Sequence, residues 1–441
     1  LHRDKSPRNG VDWYIIKSNM QKNKKPTFPK SFFWGAAVSA HQVEGGNYNQ
    51  WSVWELENAK VLATQAPHRY NSLPKWDEIE AEAKNPDNYI SGQASDHYNR
   101  HDEDFALLEE LNMNAFRFSI EWSRVEPEEG AWNAAAIDYY KKYIKNLKSR
   151  GIEPIATMFH FTLPVWFAKK GGFTKRSNVE YFVRFVEKVM SEMGAHLRYI
   201  ITINEPSVYA NESYLEGNWP PNATSKLDFW LVLNNLAYAH KKSRQVIKQI
   251  QRRARVSIAH NSSYVYAGDD AWLSRKFAAL MQWFKDDYFL QKVARHCDFL
   301  GINYYFSDRV YGYRVHNPEK ELSDLGWDVS PENLELALTR LWNKYKLPIM
   351  ITENGIADRD DELRQEWILK TINAMQNAIN KDVKLLGYLH WSLIDNFEWA
   401  YGKWPRFGLA SVDYNTLKRE LRPSAKGFAK AIKYIRENKS E

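Results

Sequence analysis

Two glutamates, Glu205 and Glu353, stand in matching contexts in this chain. One follows the run Tyr199-Ile200-Ile201-Thr202-Ile203-Asn204 and is followed by Pro206; the other follows Leu347-Pro348-Ile349-Met350-Ile351-Thr352 and is followed by Asn354-Gly355. Apolar, β-branched runs of this kind read as strands buried on both faces of a parallel sheet, closed by turn residues. Two such strands can hold two carboxyl groups against one bond. With one carboxyl as acid and base and the other as nucleophile, that is the minimal apparatus for glycoside hydrolysis. A single Glu in such a place is more often a helix cap or a loop side chain. The paired context shifts the reading toward chemistry.

The elements that must position the pair follow from periodicity. Strands are expected over 32–39, 114–120, 152–160, the run ending at Glu205, 255–261, 298–305, the run ending at Glu353, and 385–392. Helices are expected over 96–112 with Asp96 as cap, 133–149, 178–194, 226–253, 331–345, 361–380 and 424–437, with a helical, aromatic-rich segment before 298. Eight strand-and-helix units are the arithmetic of an α/β fold, a (β/α)8 TIM barrel built as one domain over 27–441. Residues 1–26 are polar and basic and read as a tail or surface wrap. Residues 47–95 read as a long functional loop over one end. In such barrels catalytic residues gather at the C-terminal strand ends. Here those ends carry Gln42, Arg117, His160, Asn204, Glu205, Asn303, Tyr305, Glu353 and Trp391. Taken singly, Arg117 reads as a core ion pair, His160 as a satisfied buried imidazole and Trp391 as a packing residue. Together they form a polar ring around one mouth.

Bulk properties bound the rest. Aromatics make up 15% of the 441 residues, with 18 Trp and 25 Tyr, and such rings fill cores or stack on sugar faces. The net charge of +7 comes from Lys and Arg interleaved with Asp and Glu, so no nucleic-acid partner is expected. Cys297 is the one cysteine, which excludes an intrachain disulfide. No apolar run approaches membrane-spanning length and no secretory leader is visible, so the expectation is a cytoplasmic protein without a membrane partner. No metal-ligand cluster or nucleotide fingerprint occurs, and no cofactor is expected. Oligomeric state is not legible.

From about Phe28 to its end the chain resembles glycoside hydrolase family 1, the β-glucosidase family. The segments that carry the resemblance are Phe33-Trp34-Gly35, Gln42-Val43-Glu44-Gly45, Asp96-His97-Tyr98, Arg117-Phe118-Ser119-Ile120, Thr202-Ile203-Asn204-Glu205-Pro206, Gly301-Ile302-Asn303-Tyr304-Tyr305, Ile351-Thr352-Glu353-Asn354-Gly355 and Trp391 through Trp399. The resemblance implies a retaining β-glucosidase acting on a β-glycoside or oligosaccharide, with Glu353 as nucleophile and Glu205 as acid/base. It implies that Asn204 bonds the sugar 2-hydroxyl and that Arg117 and Tyr305 support the nucleophile. Gln42, His160, Trp391, Glu398 and Trp399 would recognise the glycone, and Trp327 would stack the aglycone. Asn303 belongs to the same substrate-binding set.

Two departures stand out. Many members have His-Trp-Asp where this chain has His160-Phe161-Thr162, and residues 47–95 do not follow the common pattern. Retention of Glu205 argues against a thioglucosidase, and a carboxylate at Glu398 argues against a 6-phospho-glycoside substrate. The rival from another class is a sugar-binding barrel that does not cut its ligand; the presence of both carboxylates argues against it.

Overall fold

The computed structural model describes residues 28–317 and 321–438, so the basic tail lies outside the described residues. Eight strands form a closed barrel: β1 Phe33–Ala37, β2 Ala115–Ser119, β3 Glu153–Phe159, β4 Tyr199–Asn204, β5 Arg255–Asn261, β6 Leu300–Asn303, β7 Ile349–Asn354 and β8 Leu385–Trp391. They pair in parallel and in chain order, and β8 closes on β1 through registers such as Gly35 with Leu389. Helices Ala134–Ser149, Val179–Met193, Lys226–Ile250, Leu334–Tyr345, Arg364–Asn380 and Pro423–Glu437 fall within the spans that periodicity predicts, to within a residue at the last start. Sequence-local caps set two of these starts: Asn133 accepts from Ala136 N–H, and Ser225 accepts from Asp228 N–H.

The floor of the barrel is aromatic. Phe33, Tyr199 and Phe299 meet edge-on, with ring centroids 5.2 and 5.9 Å apart, so this end is closed by packed rings. Both glutamate-bearing strands shift register just before their functional ends. The β4–β5 pairing slips between Ile201 and Asn204, and the β6–β7 pairing between Ile351 and Glu353. A bulge of this kind re-aims the side chains after it. Gly355 completes the β7 turn where a Cβ would lie 1.8 Å from the Trp391 carbonyl oxygen, so no larger residue fits.

Two expectations need correction, and one element is new. Residues 47–95 are mostly helical, with helices Gln50–Tyr70 and Trp76–Ala83. The buried positions of the first, Trp51, Trp54, Glu55, Ala59, Leu62, Ala63, Ala66 and Tyr70, recur at helical spacing, but several are alanines and one is a carboxylate, so hydropathy hides them. Its start carries a capping box between Asn49 and Ser52. Asp96 stands at the start of helix His97–Glu110 but in left-handed backbone (φ 52°), and its carboxylate accepts from Asn99 instead of capping. Finally, the connections after β5 and β6 add a small sheet, Tyr264–Ala267, Ser307–Tyr311 and Arg314–Val315, on the rim above the mouth.

Candidate active site

The ring predicted from strand ends does assemble, with two displacements. Gln42 lies past β1 in the short helix Ala40–Val43, and Arg117 lies inside β2, two residues before its end. A guanidinium is long enough to make up the difference. Arg117, wholly buried, donates from Nη1 to Glu353 Oε1 at 2.5 Å, from Nη2 to Asn204 Oδ1 at 2.7 Å and from Nε to Thr157 Oγ1 at 3.0 Å. The core-ion-pair reading of Arg117 is therefore correct, and its partner is the candidate nucleophile. Tyr305 Oη donates to the other oxygen, Glu353 Oε2, at 2.7 Å.

Glu205 has a different shell. Its backbone is left-handed (φ 39°, ψ 59°), which a non-glycine residue holds only where the surroundings enforce it; here its N–H donates to Ala259 O at 2.7 Å. Its Oε1 accepts from Asn303 Nδ2 at 2.8 Å and from Asn261 Nδ2 at 3.2 Å. Asn303 is itself held by Thr352 Oγ1, which donates to its Oδ1 at 2.7 Å, and its Nδ2 also approaches Asn204 Oδ1 at 3.2 Å. One carboxyl thus touches a cation and a phenol, while the other touches only neutral amides.

Electrostatics follow from that asymmetry. Burial, then the Glu353 charge, push the Glu205 carboxyl up to about 8. Burial raises Glu353 too, but Arg117 and the Tyr305 hydroxyl oppose it directly. Glu398 is also pushed up to about 8, by burial and then by Glu353 and Glu205. Three carboxyls gather at one mouth, and the Arg117 cation sits on Glu353. At neutral pH the arrangement favours an ionised Glu353 beside protonated Glu205 and Glu398. A neutral Glu398 would not repel an anion, which weakens the charge argument against phosphorylated substrates. What remains of it is that the charges acting most on Glu398, those of Glu353 and Glu205, are both negative.

The other predicted residues line the same space. Gln42 Oε1 accepts from Ser39 Oγ at 2.7 Å, and its Nε2 faces Asn396 Oδ1, Phe397 O and Glu398 Oε2 at 3.0, 2.8 and 3.3 Å, so its amide orientation is fixed. His160 lies between Trp391 and Trp399, stacked on both at 5.9 and 6.1 Å. Asn204 Oδ1 receives donors, so its Nδ2 is the donor to His160 Nε2 at 3.1 Å; the imidazole proton is then on Nδ1, which is buried without a partner. The satisfied-imidazole reading of His160 is thus wrong. Burial and Arg117 hold its pKa well below the usual range, so the ring is neutral. Trp327 packs on Tyr305, Phe306 and Phe407.

Sequence reasoning missed a support layer. His41 stacks almost parallel on Trp399 (5.7 Å, 12°), and its Nε2 lies 2.6 Å from Glu55 Oε1. Glu55 Oε2 accepts from Ser91 N–H and Oγ at 2.8 and 2.7 Å. Helix Gln50–Tyr70 therefore reaches back to hold the Trp399 wall. Trp51 and Trp219 close the same box, with Phe161 against Trp219 and Trp399 at 4.9 and 5.1 Å. Thr162, where many members have Asp, donates to Glu121 Oε2 at 2.9 Å. Asn261 was also missed, although it ends β5 and the strand-end rule covers it.

The family model described as "Glycosyl hydrolase family 1" matches residues 24–295 and 266–437. "Beta-glucosidase A" of Thermotoga maritima is 30% identical over 458 residues, covering 92% of this chain and 98% of that protein. The solved structure of a β-glycosidase from Pyrococcus horikoshii superposes with a TM-score of 0.81 at 32% identity, over 93% of this chain and 96% of that one. A β-glucosidase from Thermotoga maritima in complex with glucoimidazole gives 0.82 at 26% identity, over 93% and 99%.

Proposed function

The chain belongs to glycosyl hydrolase family 1 and is a glycoside hydrolase, and from that premise we propose that it releases terminal β-D-glucosyl residues from O-glycosides with retention. The observation that carries the reading is the unequal pairing of the two carboxyls: Arg117 and Tyr305 hold Glu353, while neutral amides hold Glu205. In the first step Glu353 Oε attacks the anomeric carbon as Glu205 gives its proton to the glycosidic oxygen. The C–O bond to the aglycone breaks, and the aglycone leaves as an alcohol. In the second step the Glu205 carboxylate takes a proton from water, whose oxygen displaces Glu353 from the anomeric carbon. Two inversions give net retention.

Binding roles follow from the donors and acceptors available. Asn204 Nδ2 serves the 2-hydroxyl, where contact strengthens as charge develops at the neighbouring carbon. The unpartnered Nδ1–H of His160 serves a ring hydroxyl. Gln42 and Glu398 grip the remaining hydroxyls, a protonated Glu398 both donating and accepting. Trp391 and Trp399 supply apolar faces, and Trp327 supports the aglycone. Phe161 donates no hydrogen bond, so the glycone is gripped less tightly on that side. The competing glycones are galactose and fucose, which differ in hydroxyls that these residues read.

A panel of aryl β-glycosides compared by kcat/KM, with the first-formed anomer followed by proton NMR, tests this. Highest kcat/KM for the glucoside, with β-glucose appearing before mutarotation, is expected. First-formed α-glucose overturns retention, and no turnover of any glycoside with intact sugar binding favours the non-cutting barrel.

A further inference from the structure

The apolar side chains left exposed are not scattered. On helix Trp272–Gln282 and its π-helical continuation Trp283–Asp287, Leu280, Trp283 and Phe284 are 58, 40 and 43% exposed. On helix Lys226–Ile250, Leu227, Trp230 and Leu231 are exposed as well, at 69, 38 and 40%. The two groups join: Trp230 lies 6.0 Å from Phe284 and 5.0 Å from Tyr288, and Trp283 lies 5.6 Å from Tyr288. Trp272 and Leu273, 67 and 47% exposed, extend the surface. A contiguous patch of several large apolar side chains exceeds what singly scattered surface residues account for.

Its place in the fold is set by topology. A helix that follows a barrel strand runs back from the mouth, so the N-terminal ends of these two helices, after β4 and β5, lie on the mouth side. Helix Trp272–Gln282 also packs on the small rim sheet through Phe277 and Ala278 against Val265 and Val310.

Charge selects the occupant. Between Trp272 and Val293 the charged residues are Arg275, Lys276, Lys285, Asp286, Asp287 and Lys292. Both acids are buried, Asp286 with Arg340 and Asp287 with Arg340 and Lys344. Every outward charge on this segment is basic; beside the patch, Lys226 adds a further cation, and Asp228, Asp269 and Asp270 lie at the N-terminal ends of the two helices. Lys285 pairs with Asp308, and Asp270, just before the helix, faces Arg275 at 3.6 Å, which leaves Lys276 and Lys292 beside the aromatic face. Trp, Phe and Leu on one side of a helix with Lys and Arg beside them is the composition of a helix that lies in a lipid–water interface. Among the described residues no helix is long and apolar enough to cross a membrane, so the contact is a surface one.

We propose that this face docks the barrel on an anionic lipid surface and brings the mouth to that surface. The even spread of charge along the sequence conceals it, because the segment 272–293 becomes basic on its outer side only when Asp286 and Asp287 turn inward.

The test is co-sedimentation of the whole chain with vesicles of phosphatidylcholine alone and of phosphatidylcholine mixed with phosphatidylglycerol, with sedimentation velocity of the protein without lipid. The chain should bind the mixed vesicles more tightly and less so as salt rises. W283S/F284S should lower the partition coefficient at least about tenfold, and K276A/K292A should lower it roughly thirtyfold on mixed vesicles only. Both variants should keep wild-type kcat/KM on a soluble aryl glycoside. The proposal is overturned if wild type ignores both vesicles, if both variants bind as wild type does, or if the wild type is a dimer that W283S/F284S dissociates while vesicles are ignored.

Discussion

Replacing Glu205 by Gln should stabilise the fold increasingly as pH rises. Burial and the Glu353 charge take this carboxyl from the ordinary 4.5 to about 8 in the folded chain. A raised carboxyl pKa means the folded state holds a proton that the unfolded state has released, so stability falls with pH between those two values and levels off above. Integrated over that window, the penalty is at most about 5 kcal/mol. Gln cannot ionise, keeps an acceptor for Asn303 and Asn261, and escapes the penalty. For a chain of this length the entropy of unfolding is about 0.9 kcal/mol per degree, so Glu205→Gln should gain up to about 5 °C in Tm over wild type near pH 8.5 relative to the gap near pH 5. The assay is thermal unfolding of both proteins across that range. A gap that does not change with pH, or that widens toward acid, refutes the assignment of a neutral buried Glu205. The same ionisation sets the alkaline limb of kcat/KM, which should fall through about 8 for substrates whose leaving group needs a proton.

Arg117→Lys keeps a cation but not the fork that binds Glu353, Asn204 and Thr157 together, and kcat/KM on an aryl β-glucoside should fall about a hundredfold or more; a loss under threefold removes Arg117 from the account. Glu398→Gln mimics the protonated acid and should cost less than about tenfold in kcat/KM near pH 6, whereas Glu398→Ala should cost about a hundredfold, read by steady-state kinetics; equal losses mean that the ionised form binds the sugar. Glu55→Ala leaves His41 without its buried partner and should raise KM while lowering Tm, since the Trp399 wall loses its support; an unchanged KM separates that wall from binding.

The barrel and the two glutamates were legible because each depends on local pattern. A β-branched run that stops at a carboxyl and a turn residue marks a strand end whatever surrounds it, and the barrel rule then gathers those ends. The register shifts before Asn204 and Glu353 were not legible, since a bulge is a property of two strands and not of one. Helix Gln50–Tyr70 was hidden because its inward face is carried by alanines and by Glu55, whose polarity hydropathy counts as surface. His41 was passed over for the same reason: its partner is 14 residues away and is named only by the fold. Asn261 differs from these, since it ends β5 and the strand-end rule alone places it beside Glu205.

The central claim is the division of labour between Glu353 and Glu205, and azide rescue of two variants reads it directly. Glu353→Gly removes the nucleophile; azide in the vacated space should attack the anomeric carbon once and yield an α-glucosyl azide. Glu205→Ala, given a substrate whose phenol leaves without protonation, should still form the glycosyl-enzyme but lack a base to hydrolyse it, so azide should displace Glu353 and yield the β-glucosyl azide. That pair of anomers is the result the account predicts. The reversed pair would contradict it by exchanging the roles of the two carboxyls.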